Sequence, residues 1–121
     1  MFHKKAVIFS SAAGTGTKAA IKDIRTALTY WGIPEIYSYG TAVQANCWNQ
    51  VTAQKKSIIE DQISRIKKKL LKRAQPSVGL KTKFLFHIMR KMQTMGWGSS
   101  PEEKAYWEEK GWLLNVRPWN K

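Results

Sequence analysis

The run Lys4-Lys5-Ala6-Val7-Ile8-Phe9-Ser10-Ser11-Ala12-Ala13-Gly14-Thr15-Gly16-Thr17 sets the architecture. Ala6 to Phe9 is apolar on both faces of an extended chain, as expected of a strand covered by helices on both sides of a parallel sheet. The strand is expected over Lys4–Ser10. It opens into a stretch of small residues without a charge, and a helix follows. Ile21, Ile24, Leu28 and Trp31 recur at helical spacing and form one apolar stripe. Thr17 is the expected N-cap, Gly32 the residue beyond the C-cap, and Pro34 stops continuation.

Working outward, Ile36-Tyr37-Ser38-Tyr39 reads as a second strand that resumes at Thr41-Ala42-Val43 beyond Gly40. A long basic helix is expected from about Val51 to Arg73, with Ile59, Ile63, Ile66 and Leu70 on one face. Pro76 and Gly79 close that unit, so residues 1–76 read as β-α-β-α, the pattern of a parallel α/β sheet. Residues 77–121 read as a helical C-terminal extension docking on it. In its first helix Phe84, Leu85, Ile88, Met89, Met92 and Met95 share one side, and Lys83, His87, Arg90 and Lys91 the other. Ser100-Pro101-Glu102-Glu103 is a helix start: a capping serine, a proline at the first helical position and a glutamate placed for a capping box. That last helix presents Tyr106 and Trp107 and stops near Gly111, leaving Trp112, Leu113, Leu114 and Trp119 to dock.

The chain has 121 residues, one domain's worth. Its 43% hydrophobic and 24% charged content is that of a globular chain. No apolar run approaches a membrane span and the opening residues turn polar too soon for a secretory signal, which places the chain in the cytoplasm. A single cysteine, Cys47, excludes an internal disulfide framework or a cysteine-built zinc site, and it reads as a half-buried packing residue. The net charge of +13 is concentrated in the middle, where residues 55–73 carry eight basic and two acidic side chains. Residues 81–91 add four basic side chains and no acid. Such a field suits anionic partners, namely nucleic acid, an acidic membrane face or a phosphorylated cofactor; a solvated lysine-rich helix face has the same sequence.

The loop after the first strand is the candidate binding site. Ligands of open α/β sheets bind outside the carboxyl ends of the strands, and small residues let backbone approach a ligand closely. Gly14-Thr15-Gly16-Thr17-Lys18-Ala19 satisfies G-x-G-x-x-A, but the acid that should hold a ribose is missing from the end of the second strand, since Glu35 precedes it. A ligand-contacting loop and a plain tight turn both fit. No catalytic constellation appears: His3 and His87 are far apart in sequence, and neither adjoins a nucleophile motif. The six tryptophans are not interleaved with arginines as base-stacking platforms are, and are expected to cover apolar surface. The 83–95 helix, basic on one side and Phe/Met-rich on the other, suits docking on the fold, a partner's groove or a membrane surface.

Three stretches resemble the later half of a flavodoxin-like NAD(P)H-dependent oxidoreductase of the NADPH-dependent FMN reductase group. They are Lys4 to Gly14 with the helix to Tyr30-Trp31-Gly32-Ile33-Pro34, then Ser38-Tyr39-Gly40-Thr41-Ala42-Val43-Gln44-Ala45 with the long basic helix after it, and the Glu103-Lys104-Ala105-Tyr106-Trp107 tail. The resemblance implies an open parallel sheet with FMN at the strand ends, and hydride passing from NAD(P)H to the flavin and on to an acceptor. It implies flavin contact by Ser10, Ser11, Ala12, Ala13, Gly14, Thr15 and Gly16, and assigns no catalytic acid, base, nucleophile or metal.

The family sheet has five strands in the order 2-1-3-4-5, on the order of 150 residues at roughly 30 per strand–helix unit. Only two such units are present here, and the family's phosphate-gripping loop has no counterpart. The expectation is therefore a partial flavodoxin-like sheet, a C-terminal half with an unpartnered strand edge. Such a half should form a homo-oligomer, pair with a separate N-terminal half or be partly unfolded in isolation. The rival reading is a small basic α/β binding module for nucleic acid or an anionic membrane surface.

Overall fold

The computed structural model describes residues 1–72 and 74–120. The expected end of the long basic helix at Arg73, and Lys121, lie outside the described residues. The elements run β1 (Lys5–Ala12), α1 (Thr17–Tyr30), β2 (Glu35–Ala42), a 3₁₀ turn (Trp48–Gln50), α2 (Ala53–Leu70), α3 (Leu80–Met95) and α4 (Pro101–Glu109). β1 and β2 pair in parallel, in register from Lys5 opposite Glu35 to Ala12 opposite Ala42. The architecture is thus mixed α/β, a two-stranded parallel sheet with four α-helices among the described residues.

β2 runs unbroken through Gly40, because the missing side chain makes room for a helix. A Cβ at Gly40 would lie 2.8 Å from Ile21 Cδ1 and 3.0 Å from Thr17 Cβ. Arg25 of α1 bonds the same face, donating to Ile36 O at 3.0 Å and Ser38 Oγ at 2.7 Å. The even-numbered positions of β2 therefore face α1. The odd ones face α2: Lys69 Nζ lies over the Tyr37 ring, and Tyr39 and Thr41 share a cavity with Ile59 and Ile63. One helix lies on each face of β2, whereas β1 is covered on the α1 face only, so the two-sided cover expected from its apolar run is met on one side.

The two helices do not cover the strands equally. α1 packs on both strands and α2 on β2. Ile8 of β1 is buried, whereas Phe9, pointing to the other face, is 57% exposed. The outer edge of β1 has no strand beside it among the described residues. α1 itself buries no residue, and Ile24 and Trp31 of its expected stripe are exposed.

Caps account for the helix ends. α1 begins one residue earlier than the expected cap: Gly16, at φ 104°, is the N-cap and Thr17 the first helical residue. Its far end is a Schellman motif, with Gly32 N–H donating to Thr29 O and Ile33 N–H to Leu28 O, and Gly32 at φ 79°. Thr52 caps α2 and Ser100 caps α4, accepting from Lys55 N–H and Glu103 N–H. Pro101 occupies the first turn of α4 as expected.

The tail attaches through aromatic rings. Phe86 of α3 stacks on Trp107 of α4 at 5.1 Å and meets Trp112 and Trp119 edge-on, and Phe2 closes the cluster from the strand side. Arg90 clamps the chain after α4 by donating Nε and Nη2 to Leu113 O. Trp107, Trp112 and Trp119 thus cover apolar surface, while Trp31, Trp48 and Trp97 are exposed. Leu114 is exposed as well, so the expectation that it docks is corrected.

The docked face of α3 also differs from expectation. Thr82, Phe86 and Gln93 are its buried residues, while Phe84, Ile88, Met92 and Met95 are exposed. The apolar stripe expected to dock is thus turned largely outward, and the side that carries Thr82 and Gln93 packs instead, because the ring cluster around Phe86 decides the docked face.

Candidate functional site

The two strands end side by side, and their ladder continues one step into the loops. Val43 N–H donates to Ala12 O at 3.0 Å and Gln44 N–H to Ala13 O at 3.1 Å. Gln44, at φ 50°, then turns the chain toward the 3₁₀ segment. The loop after β1 and the segment after β2 are thereby fixed to each other at the carboxyl ends of the strands, where ligands of open α/β sheets bind.

A cavity of about 490 Å³ opens there, on the α2 side of the sheet. That volume is within the range of small-molecule sites. Its apolar wall is built by Phe9, Tyr39, Val51, Ile59 and Ile63, with Trp48 at the end nearest the loops. Hydroxyl-bearing residues of the lining on this face are Ser11, Tyr39 and Thr41, while Ser10, opposite Gly40, borders the cavity from the strand backbone. Thr41 Oγ1 is sealed from solvent and has no hydrogen-bond partner. An unpartnered buried hydroxyl costs roughly 1–3 kcal/mol; a ligand atom or a neighbouring chain that reached it would remove that cost. Among the described residues no charged side chain lines the cavity. Lys56 Nζ stands 5.3 Å from the centroid of the exposed Trp48 ring.

The sequence placed the whole site on Ser10–Gly16, and the structure divides it. Ser10, Ser11 and Ala12 belong to β1 itself, and Ser10 and Ser11 line the cavity. Ala13, Gly14, Thr15 and Gly16 form an exposed loop beside it. A Cβ at Gly14 would meet nothing within 4 Å, so room for a ligand's approach is open there. The remaining lining comes from Phe9 and from residues 39–63, which the sequence reading did not assign. Cys47 is exposed and lines the cavity, which corrects its reading as a half-buried packing residue.

Chemically, the cavity suits a planar, largely uncharged ring system held by stacking and hydroxyl contacts. A phosphate is poorly matched to its neutral lining. Glu35 is the first residue of β2, at the far end from the loops, so the ribose-binding acid of a dinucleotide fold is absent from the strand ends. There Glu35 Oε2 accepts from Tyr37 Oη at 2.7 Å and lies 3.6 Å from Lys5 Nζ. Donation to that carboxylate holds the Tyr37 hydroxyl above its ordinary pKa. Among the described residues no cluster of His, Cys, Asp and Glu forms a metal site, and no helix is long and apolar enough to cross a membrane. A second cavity of about 370 Å³ lies at the opposite end of the sheet within the aromatic cluster, lined by Phe2, Phe86, Trp107 and Trp112. It belongs to the docking of the tail.

No family model, curated protein or solved structure matches this chain.

Proposed function

We infer that this chain supplies the strand-end half of a flavin site in a flavodoxin-like, NAD(P)H-dependent oxidoreductase. The observation that carries the reading is the neutral cavity at the carboxyl ends of a parallel β-α-β unit. Its aromatic and aliphatic wall fits a flavin ring. The residues assigned to the ring are Ser10, Ser11, Tyr39, Thr41 and Trp48, with the backbone of Ala12, Ala13, Gly14, Thr15 and Gly16 along its edge. When bound, FMN accepts hydride from a nicotinamide nucleotide; this chain binds and orients the ring and shields one side of it from water.

Among the described residues the lining offers no cation for the FMN phosphate. That contact is assigned to a second chain, an N-terminal half or another copy, paired along the outer edge of β1. The open edge and the exposure of Phe9 beside it support this assignment.

A titration of the full chain into FMN, read as flavin fluorescence at low and high salt, tests the reading. Quenching that survives added salt is expected, since stacking depends little on ionic strength whereas counterion-driven binding falls steeply. The variant Gly14→Val should weaken it while leaving the free protein intact, because its side chain enters open space. Absence of quenching at any protein concentration, alone or with an N-terminal half added, would remove the flavin assignment.

A further inference from the structure

We propose that the outward face of α3 is a docking surface for an anionic lipid bilayer. The inference is independent of the flavin site, which lies at the strand ends. Opposite the buried residues Thr82, Phe86 and Gln93, α3 presents Leu80, Phe84, Ile88, Met92 and Met95 to solvent. Leu80 is 85% and Phe84 67% exposed, and Trp97 stands exposed just past the helix end. The apolar row therefore runs the length of a 16-residue helix and finishes in an aromatic residue of the kind that sits at a lipid headgroup boundary.

Charge selects the occupant. Lys81 and Lys91 lie on the same exposed side, and α3 contains no acidic residue. Between α1 and α3 a groove of about 380 Å³ joins this face, with Tyr30, Phe84 and Ile88 as its apolar part and Lys22 and Lys81 among its lining. Arg25, also in the groove, is already bonded to Ile36 O and Ser38 Oγ, which leaves the two lysines as the free cations for a headgroup phosphate. Apolar side chains flanked by lysines match an acidic bilayer, which takes up a convex helix without a shaped pocket. A second copy on this face is disfavoured, because a two-fold pairing would set Lys81 and Lys91 of one copy against the same lysines of the other. Nucleic acid would engage the lysines and gain nothing from the Leu80–Met95 row.

The test is co-sedimentation of the full chain with vesicles of phosphatidylcholine containing phosphatidylglycerol, against vesicles of phosphatidylcholine alone. The chain should sediment with the mixed vesicles and not with the neutral ones. Leu80→Asp and Phe84→Asp should each lower the partition at least about tenfold, as expected when a buried apolar side chain is replaced by a charge. Folding of Leu80→Asp is protected, since an acid in the first turn suits the helix dipole. Lys81→Gln and Lys91→Gln should each lower it about fivefold. Three outcomes would overturn the proposal. One is failure of the wild-type chain to bind mixed vesicles. Another is vesicle binding unchanged by Leu80→Asp and Phe84→Asp, which would place the contact on the lysines of α2. The last is a sedimentation-velocity dimer, dispersed by Phe84→Asp, with no vesicle binding, which would give the face to a second copy.

Discussion

Replacing Gly32 by alanine should be the most damaging single-methyl change in the molecule. Gly32 closes the Schellman motif of α1 at φ 79°, a region that costs an L-residue about 1–2 kcal/mol. The added methyl would also fall 2.5, 2.8 and 2.9 Å from three carbons of the Phe2 ring, contacts that require the ring to move. Phe2 cannot yield freely, because it sits edge-on against Phe86, Trp112 and Trp119 at centroid distances of 6.0–6.1 Å. Overpacking of this kind costs about 1–3 kcal/mol. The expected loss is therefore about 2–5 kcal/mol, a large share of the roughly 5–15 kcal/mol that holds a domain folded.

The two contributions are separable. In a Phe2→Ala background the ring is gone, and Gly32→Ala should cost only the backbone share of about 1–2 kcal/mol. Urea unfolding of the four proteins of this cycle, followed by tryptophan fluorescence, measures the difference. An equal cost of Gly32→Ala in both backgrounds would refute the ring contact. A cost below about 0.5 kcal/mol in the Phe2-containing chain would refute the left-handed cap as well.

Three further outcomes are expected. Ser100→Ala removes the acceptor for Glu103 N–H and should destabilise the chain by about 1 kcal/mol, seen as a lower urea midpoint with unchanged slope. Tyr37 has a raised pKa in the folded chain because its hydroxyl donates to Glu35, so its contribution is complete below its unfolded value of about 10 and is lost as pH rises through the folded value. The stability gap between wild type and Tyr37→Phe should accordingly be constant through neutral pH and close on the alkaline side only above about pH 10; a gap that changes between about pH 6 and pH 9 would contradict this. Trp48→Ala, an exposed residue on the cavity wall, should weaken FMN quenching at least about tenfold with no change in urea midpoint, while equal quenching would take Trp48 out of the site.

Local signals were the legible ones. The β-α-β order, the glycine beyond α1 and the serine–proline start of α4 are all set by neighbours within a turn or two. The α1 start was missed by one residue because Gly16 adopts a left-handed conformation that a threonine hydroxyl cannot advertise. The site was half legible. Its loop followed from the strand it terminates, whereas Tyr39, Thr41 and Trp48 join the cavity only through the parallel register and the turn at Gln44, neither of which leaves a pattern along the chain.

The sequence by itself determined which segments are strands and helices, that the field of the chain is strongly positive, and that the small-residue loop lies at a strand end. Periodicity, capping chemistry and charge are properties of short stretches, so they survive without the fold. Which faces meet was decided by tertiary structure alone. α3 carries its apolar row on Leu80, Phe84, Ile88, Met92 and Met95, yet it buries Thr82, Phe86 and Gln93, because Phe86 locks into rings brought from positions 2, 107, 112 and 119. That one choice turns the Leu80–Met95 row outward, just as the placement of α2 over β2 leaves Phe9 and the outer edge of β1 uncovered. Packing in three dimensions selects among faces that a one-dimensional pattern leaves equivalent.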